Sequence, residues 1–182
     1  MSGDKYLVQD QHATYYCTFT VIQWIDLFTR KEYKDILVDS LNFCVENKGL
    51  EIFSWVIMSN HVHIISRVKP SYRFSNFLRD FKKYTSKAII KEMHRIHESR
   101  KEWLLDKFNF EAKRTTRAKN HKIWKDSNHA IEMGAQIDIW QKVNYIHDNP
   151  VRKGLVDEPE HYCYSSARDY CGKKGLVEVM VL

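Results

Sequence analysis

Apolar residues along this chain change period several times, and each change marks an element. Tyr15-Tyr16-Cys17-Thr18-Phe19-Thr20-Val21 is β-branched and aromatic and predicts a first strand. Thr29 stands where an N-cap is expected, with Glu32 at the capping-box position. Tyr33, Ile36, Leu37, Ser40, Leu41 and Cys44 then recur at helical spacing, and Gly49 closes that helix. Leu50 to Met58 predicts a second strand whose Ile52-Phe53-Ser54-Trp55-Val56-Ile57 run is apolar on both faces. Ser59-Asn60 makes a short turn into a third strand, His61 to Val68, which Pro70 ends.

A long helix follows, with Phe74, Phe77, Leu78, Phe81, Thr85, Ala88, Ile89, Met93 and Ile96 as its apolar stripe. The stretch 100–125 has weak periodicity and reads as a partly mobile basic arm. Lys122-Ile123-Trp124 and His129-Ala130-Ile131-Glu132-Met133 supply a fourth strand around a turn at Asp126-Ser127-Asn128. A last helix is expected over about 137–148. The tail from Val151 reads as loop, with Tyr162, Tyr164 and Tyr170 packing back on the domain. The order strand, helix, strand, strand, helix, strand predicts an α+β, ferredoxin-like split βαβ fold. Its sheet is antiparallel with helices on one face, followed by an extra C-terminal helix. No repeat or linker divides the chain, so residues 1–182 are expected to form one domain.

Composition narrows this picture. At 182 residues and 43% hydrophobic the chain can bury a core, and three prolines and six glycines argue against a turn-rich all-β sandwich. The net charge of +6 favours an anionic partner, and its distribution says more than its sign. Between Arg100 and Lys125 stand nine Lys or Arg and three acids, a difference of +6 that equals the whole excess. Cys17, Cys44, Cys163 and Cys171 show no CxxC spacing, and the first two read as core thiols. Met1 to Lys5 lacks the apolar core of a signal, and no apolar run suits a membrane span. A cytoplasmic protein in a reducing setting, with no membrane partner, is expected.

Two short segments carry the chemistry. In Met58-Ser59-Asn60-His61-Val62-His63, two imidazoles stand two residues apart in a strand, so they share one face and can hold a divalent metal. In Tyr145-Ile146-His147-Asp148-Asn149-Pro150, Tyr145 and Asn149 stand four apart at the end of a helix, again on one face. Asn149 precedes Pro150, so the helix is expected to end near Asp148 and that facing holds only approximately. His147 falls on another face of the helix. A metal and a tyrosine in a basic chain suggest phosphodiester chemistry with tyrosine as nucleophile.

DNA contacts are expected from Arg79, Lys82, Lys83 and Lys87 on the long helix, from Arg114, Arg117 and Lys119 in the arm, and from Arg152 and Lys153. Those on the long helix, and Arg152 and Lys153, could equally be solvated surface charges, whereas the arm favours phosphate contact. Trp103, Phe108, Phe110 and Trp124 interleave with the arm's charges and either stack on unpaired bases or form a small satellite core.

Three ordered segments resemble the single-tyrosine transposases of the HUH class, in particular the REP-associated tyrosine transposases. They are Trp55 to His63 with its His-hydrophobic-His, Tyr145 to Val156, and Pro159 to Ala167 with Tyr-x-x-Ser-Ser. The resemblance implies Mg²⁺ or Mn²⁺ bound by His61, His63 and Asn149, where some relatives carry Gln at the third position. It implies Tyr145 as the nucleophile, a 5′-phosphotyrosine intermediate and strand transfer. It also implies single-stranded or hairpin DNA as partner, a homodimer, and nucleoid association in a prokaryote. Two other readings stay open: a non-catalytic hairpin-binding regulator of the same fold, and a metal-dependent phosphodiesterase that uses water.

Overall fold

The computed structural model describes residues 8–116 and 119–182. Four strands, β1 (Tyr15–Thr20), β2 (Leu50–Ile57), β3 (His61–Val68) and β4 (Ile131–Glu132), form one antiparallel sheet in the order β2-β3-β1-β4. This is the ferredoxin-like order that the sequence predicts. Helices α1 (Lys31–Asn47) and α2 (Phe74–Arg95) cover one face. Cys17 and Phe19 from β1, Trp55 and Ile57 from β2, and Val62 and Ile64 from β3 point into that core, against Leu37, Leu41, Phe74 and Phe81.

The other face is not left to water. Tyr16, Phe53, Val56 and Ile65 pack there against Val143 and Ile146 of a further helix, α4 (Ile139–Arg152). The two helices of the split βαβ thus share one face as expected, and the extra C-terminal helix takes the other. The physical cause lies in β2, whose apolar residues stand on both faces and leave a second surface to bury.

Three other elements differ from expectation. Half of the 100–125 arm is a helix, α3 (Lys101–Lys113), with Leu104, Phe108 and Ala112 buried at four-residue spacing. Charges and the exposed Trp103 and Phe110 mask that stripe. Helix α1 starts at Lys31 after Arg30, and Thr29 makes no cap; its hydroxyl accepts from Arg100 Nη2 at 3.2 Å instead. Helix α4 continues past Asp148 through Pro150 to Arg152. Proline there removes one donor, and the turn closes through Lys153 N to Asn149 O and Leu155 N to Pro150 O. Gly154, at φ +66°, supplies the left-handed residue that stops the helix.

The fourth strand is short but its edge is long. Beyond Ile131 and Glu132, the Thr18 amide donates to Asn128 O, Lys125 N donates to Thr20 O, and Trp124 bridges Val21. Both predicted pieces therefore lie along β1, broken by the turn between them. The tail also packs back as expected. The Tyr162 hydroxyl donates to Ile57 O and the Tyr170 hydroxyl to Phe53 O, each at 2.8 Å. Among the described residues, no helix is long and apolar enough to cross a membrane.

Candidate active site

The register of the central strands sets the site. His63 pairs with Thr18 on one side and Val56 on the other, and His61 pairs with Thr20. Period-two alternation puts His61, His63, Tyr16 and Thr18 on the face that α4 covers. The two imidazole centroids lie 4.6 Å apart. The ring of Tyr145 stands edge-on to His63 with centroids 5.5 Å apart. A single chain thus brings its own tyrosine to its own histidine pair across 82 residues of sequence, 145 − 63.

Both histidines are oriented through Nδ1. His61 Nδ1 lies 2.7 Å from Asn60 Oδ1, which can only accept, so Nδ1 carries the proton and Nε2 the lone pair. His63 Nδ1 lies 2.8 Å from the Tyr16 hydroxyl and 3.0 Å from that of Thr18. Burial, reinforced by Lys153, pushes His61 down to about 4. Burial, then the neighbouring His61, Arg152 and Lys142, pushes His63 down to about 3. Both rings are neutral at neutral pH, the form in which imidazole binds a metal.

Asn149 is 5% exposed, and its Nδ2 donates to the Tyr145 carbonyl at 2.9 Å. A carbonyl only accepts, so the amide orientation is fixed and Oδ1 is the end left for other chemistry. Among the described residues no three His, Cys, Asp or Glu side chains form a metal-binding group. A cation here would rest on two imidazoles and a neutral oxygen. That donor set fits Mn²⁺ well and Mg²⁺ less closely.

Tyr145 is 40% exposed, so its ring is open to solvent at the rim of the site. The guanidinium of Arg152, two turns on, lies 4.3 Å from the centre of its ring, and Lys142 Nζ lies 6.0 Å away. Both expected cations after the tyrosine, Arg152 and Lys153, act on the histidine pair. His147 is turned the other way. Its Nε2 sits 2.8 Å from Ser166 Oγ and 3.2 Å from Ser54 Oγ, so it ties the tyrosine helix to β2 and to the tail. The Ser-Ser segment of the tail is thereby a brace behind the tyrosine.

Sequence reading missed Tyr16, Thr18, Asn60 and Lys142. The first two share a face of β1 at period two. Lys142 stands one turn before Tyr145, and both spacings are visible in the sequence. Trp24 and Lys125 were also missed. Lys125 Nζ lies 4.3 Å over the indole of Trp24, which meets His61 edge-on at 6.1 Å between centroids.

The remaining expected DNA contacts fall in two places. Arg79, Lys82, Lys83, Lys87 and Lys119 line one groove between α2 and the β4 edge, joined by Lys91, Lys122 and Lys125. Within it the Lys82 ammonium donates to the carbonyl of Lys125 at 2.6 Å, which holds the edge segment against α2. Arg114 stands apart on α3, paired with Glu111 at 3.2 Å and lying over Phe110. Arg117 lies outside the described residues. Of the four interleaved aromatics, Phe108 and Trp124 are core, while Trp103 and Phe110 are exposed. A separate apolar cleft of about 690 Å³ between α1 and α2, beside Phe43 and Tyr72, holds none of these residues.

The family model described as "Transposase IS200 like" matches residues 11–110. The chain belongs to this family. The matched span contains His61 and His63 and stops before Tyr145. No curated protein matches the chain. Among solved structures, a REP-associated tyrosine transposase bound to a REP hairpin is similar at TM-score 0.61 and 19% identity, over 99% of this chain and 92% of that one. That likeness carries the fold through the tyrosine helix and tail. A transposase structure from Deinococcus radiodurans R1 has 16% identity and TM-score 0.44, over 81% of this chain and 98% of that one.

Proposed function

We propose that this IS200-like transposase cuts and rejoins single-stranded DNA through a covalent bond to Tyr145. The observation that carries the reading is the Tyr145 ring against His63, itself against His61. The Tyr145 oxygen attacks phosphorus, the phenol proton passes to solvent, and the bond from phosphorus to O3′ breaks. The products are a 5′-phosphotyrosine and a free 3′-hydroxyl, which takes up a proton. Attack by a 3′-hydroxyl on the phosphotyrosine reverses the step on another strand. Ester energy is conserved throughout, so no nucleotide cofactor is consumed.

His61 and His63, through Nε2, and Asn149, through Oδ1, would hold the divalent cation, Mg²⁺ or Mn²⁺. When bound, it supplies Lewis acidity at a phosphoryl oxygen. Arg152 and Lys142 meet the negative charge that develops at the tyrosine oxygen and the phosphate. The α2 groove takes the phosphates of a hairpin stem. A solved protein of similar fold bound to a REP hairpin supports that ligand. A homodimer of this chain would not be needed to complete the site, since Tyr145 meets its own His63. The reading places the protein on the nucleoid in a prokaryotic cytoplasm.

The test uses end-labelled hairpin oligonucleotides drawn from the DNA flanking the gene, with Mn²⁺, run on a denaturing protein gel. A labelled band at the mass of protein plus DNA, lost in Tyr145→Phe, is expected. Cleaved DNA without that band would favour hydrolysis by water. Binding without cleavage would favour a hairpin-binding regulator.

A further inference from the structure

The chain leaves β1 through an unusual turn. Gln23 and Trp24 are consecutive non-glycine residues with φ of 53° and 56°, in the left-handed region that side chains disfavour. The surroundings hold this conformation. Trp24 N donates to Val21 O at 3.2 Å, Gln23 Nε2 donates to Glu111 Oε1 at 3.0 Å, and Asn60 Nδ2 donates to Trp24 O at 3.3 Å. The turn's product is a tryptophan left 55% exposed. Hydrophobic burial would favour the reverse, and the core around Phe28 and Trp124 lies close by.

The indole is placed with respect to the site. One edge meets His61 and one face lies under the Lys125 ammonium. Lys125 also lines the α2 groove, so Trp24 stands between the groove and the histidine pair. Asn60 ties the two together, because its Oδ1 orients His61 while its Nδ2 holds the Trp24 carbonyl.

We propose that Trp24 is a nucleobase platform: an unpaired base flanking the attacked phosphodiester stacks on its indole, and Lys125 takes the adjoining phosphate. A flat π-surface beside a cation suits any base and thus tracks single strands without reading sequence. The inference rests on single-stranded DNA occupying the His61–His63–Tyr145 site.

The test is binding by fluorescence anisotropy in a Tyr145→Phe background, with hairpin oligonucleotides drawn from the DNA flanking the gene. Each oligonucleotide carries its single-stranded flank either intact or with one abasic position moved along it. Trp24→Ala should weaken binding about tenfold, and Trp24→Phe should stay within about threefold of the parent. One abasic position should cost the parent about tenfold and cost Trp24→Ala nothing further, as expected when the two changes remove the same interaction. Lys125→Ala should flatten the salt dependence of binding by about 0.7, the share of one neutralised phosphate on a single strand. Unchanged affinity in Trp24→Ala, or equal abasic losses in both proteins, overturns the platform and leaves the tyrosine chemistry standing. A parent that binds none of these oligonucleotides overturns both.

Discussion

His61 donates through Nδ1 to the Oδ1 of Asn60, its neighbour in the turn before β3, at 2.7 Å. The bond fixes ring and tautomer together, so Nε2 faces the site as a lone pair. Asn60 is itself held, because its Nδ2 donates to Asp26 Oδ1 at 3.0 Å. Such partners of a metal-binding imidazole typically contribute tenfold or more to affinity. Asn60→Ala should therefore weaken Mn²⁺ binding by about tenfold in calorimetry, with helical content unchanged by circular dichroism. An unaltered affinity would remove the bond from any metal role.

Arg152 presents its guanidinium over the Tyr145 ring at 4.3 Å and helps keep His63 uncharged. In the proposed reaction, charge that appears only as the phenol oxygen attacks phosphorus would be met there by a fixed cation. Arg152→Ala should slow single-turnover adduct formation by about a hundredfold while changing hairpin affinity far less. Equal losses in rate and affinity would make Arg152 a binding residue only.

The groove along α2 predicts a salt signature. Lys83 and Lys87 are exposed and line it, whereas Arg114 is engaged by Glu111 on another surface. Lys83→Glu with Lys87→Glu should lower the slope of log affinity against log salt by about 0.9 for each duplex phosphate that is no longer neutralised. Arg114→Glu should change it less. The reverse ranking would put the DNA on α3 rather than in the groove.

Much of this site was legible before the fold was known, because it rests on short-range periods. His61 and His63 share a face by strand alternation. Tyr145 and Asn149 share one by helical spacing, and that relation survives Pro150. The double-sided apolar run of β2 already implied a second covered face. Helix α3 was illegible because its buried stripe, Leu104, Phe108 and Ala112, is narrow and interrupted by charges. Trp24 and Lys125 were illegible for a different reason. Residues 24, 61 and 125 meet only through tertiary packing, and a left-handed Gln-Trp pair has no signature in sequence.

His147 offers a stability test independent of DNA. It is 8% exposed, and burial pushes it from its ordinary 6.5 down to about 4. Above 6.5 neither folded nor unfolded chain takes up the proton. As pH falls from 6.5 towards about 4, the unfolded chain binds a proton that the native state refuses, so stability is lost across that window. The loss assignable to His147 is about 2 kcal/mol between roughly pH 7 and pH 5. In the metal-free protein His61 and His63 act in the same direction. His147→Gln strains the hydrogen bonds to Ser54 and Ser166 and should lower stability at neutral pH by about 1–3 kcal/mol. Its decline with acid should nevertheless be shallower than that of the parent, since one of the three protons is gone. Urea midpoints across the window, with chelator present, measure both quantities. Parallel declines in the two proteins would show that His147 takes up its proton in the fold as readily as in the unfolded chain, and that burial does not hold it neutral.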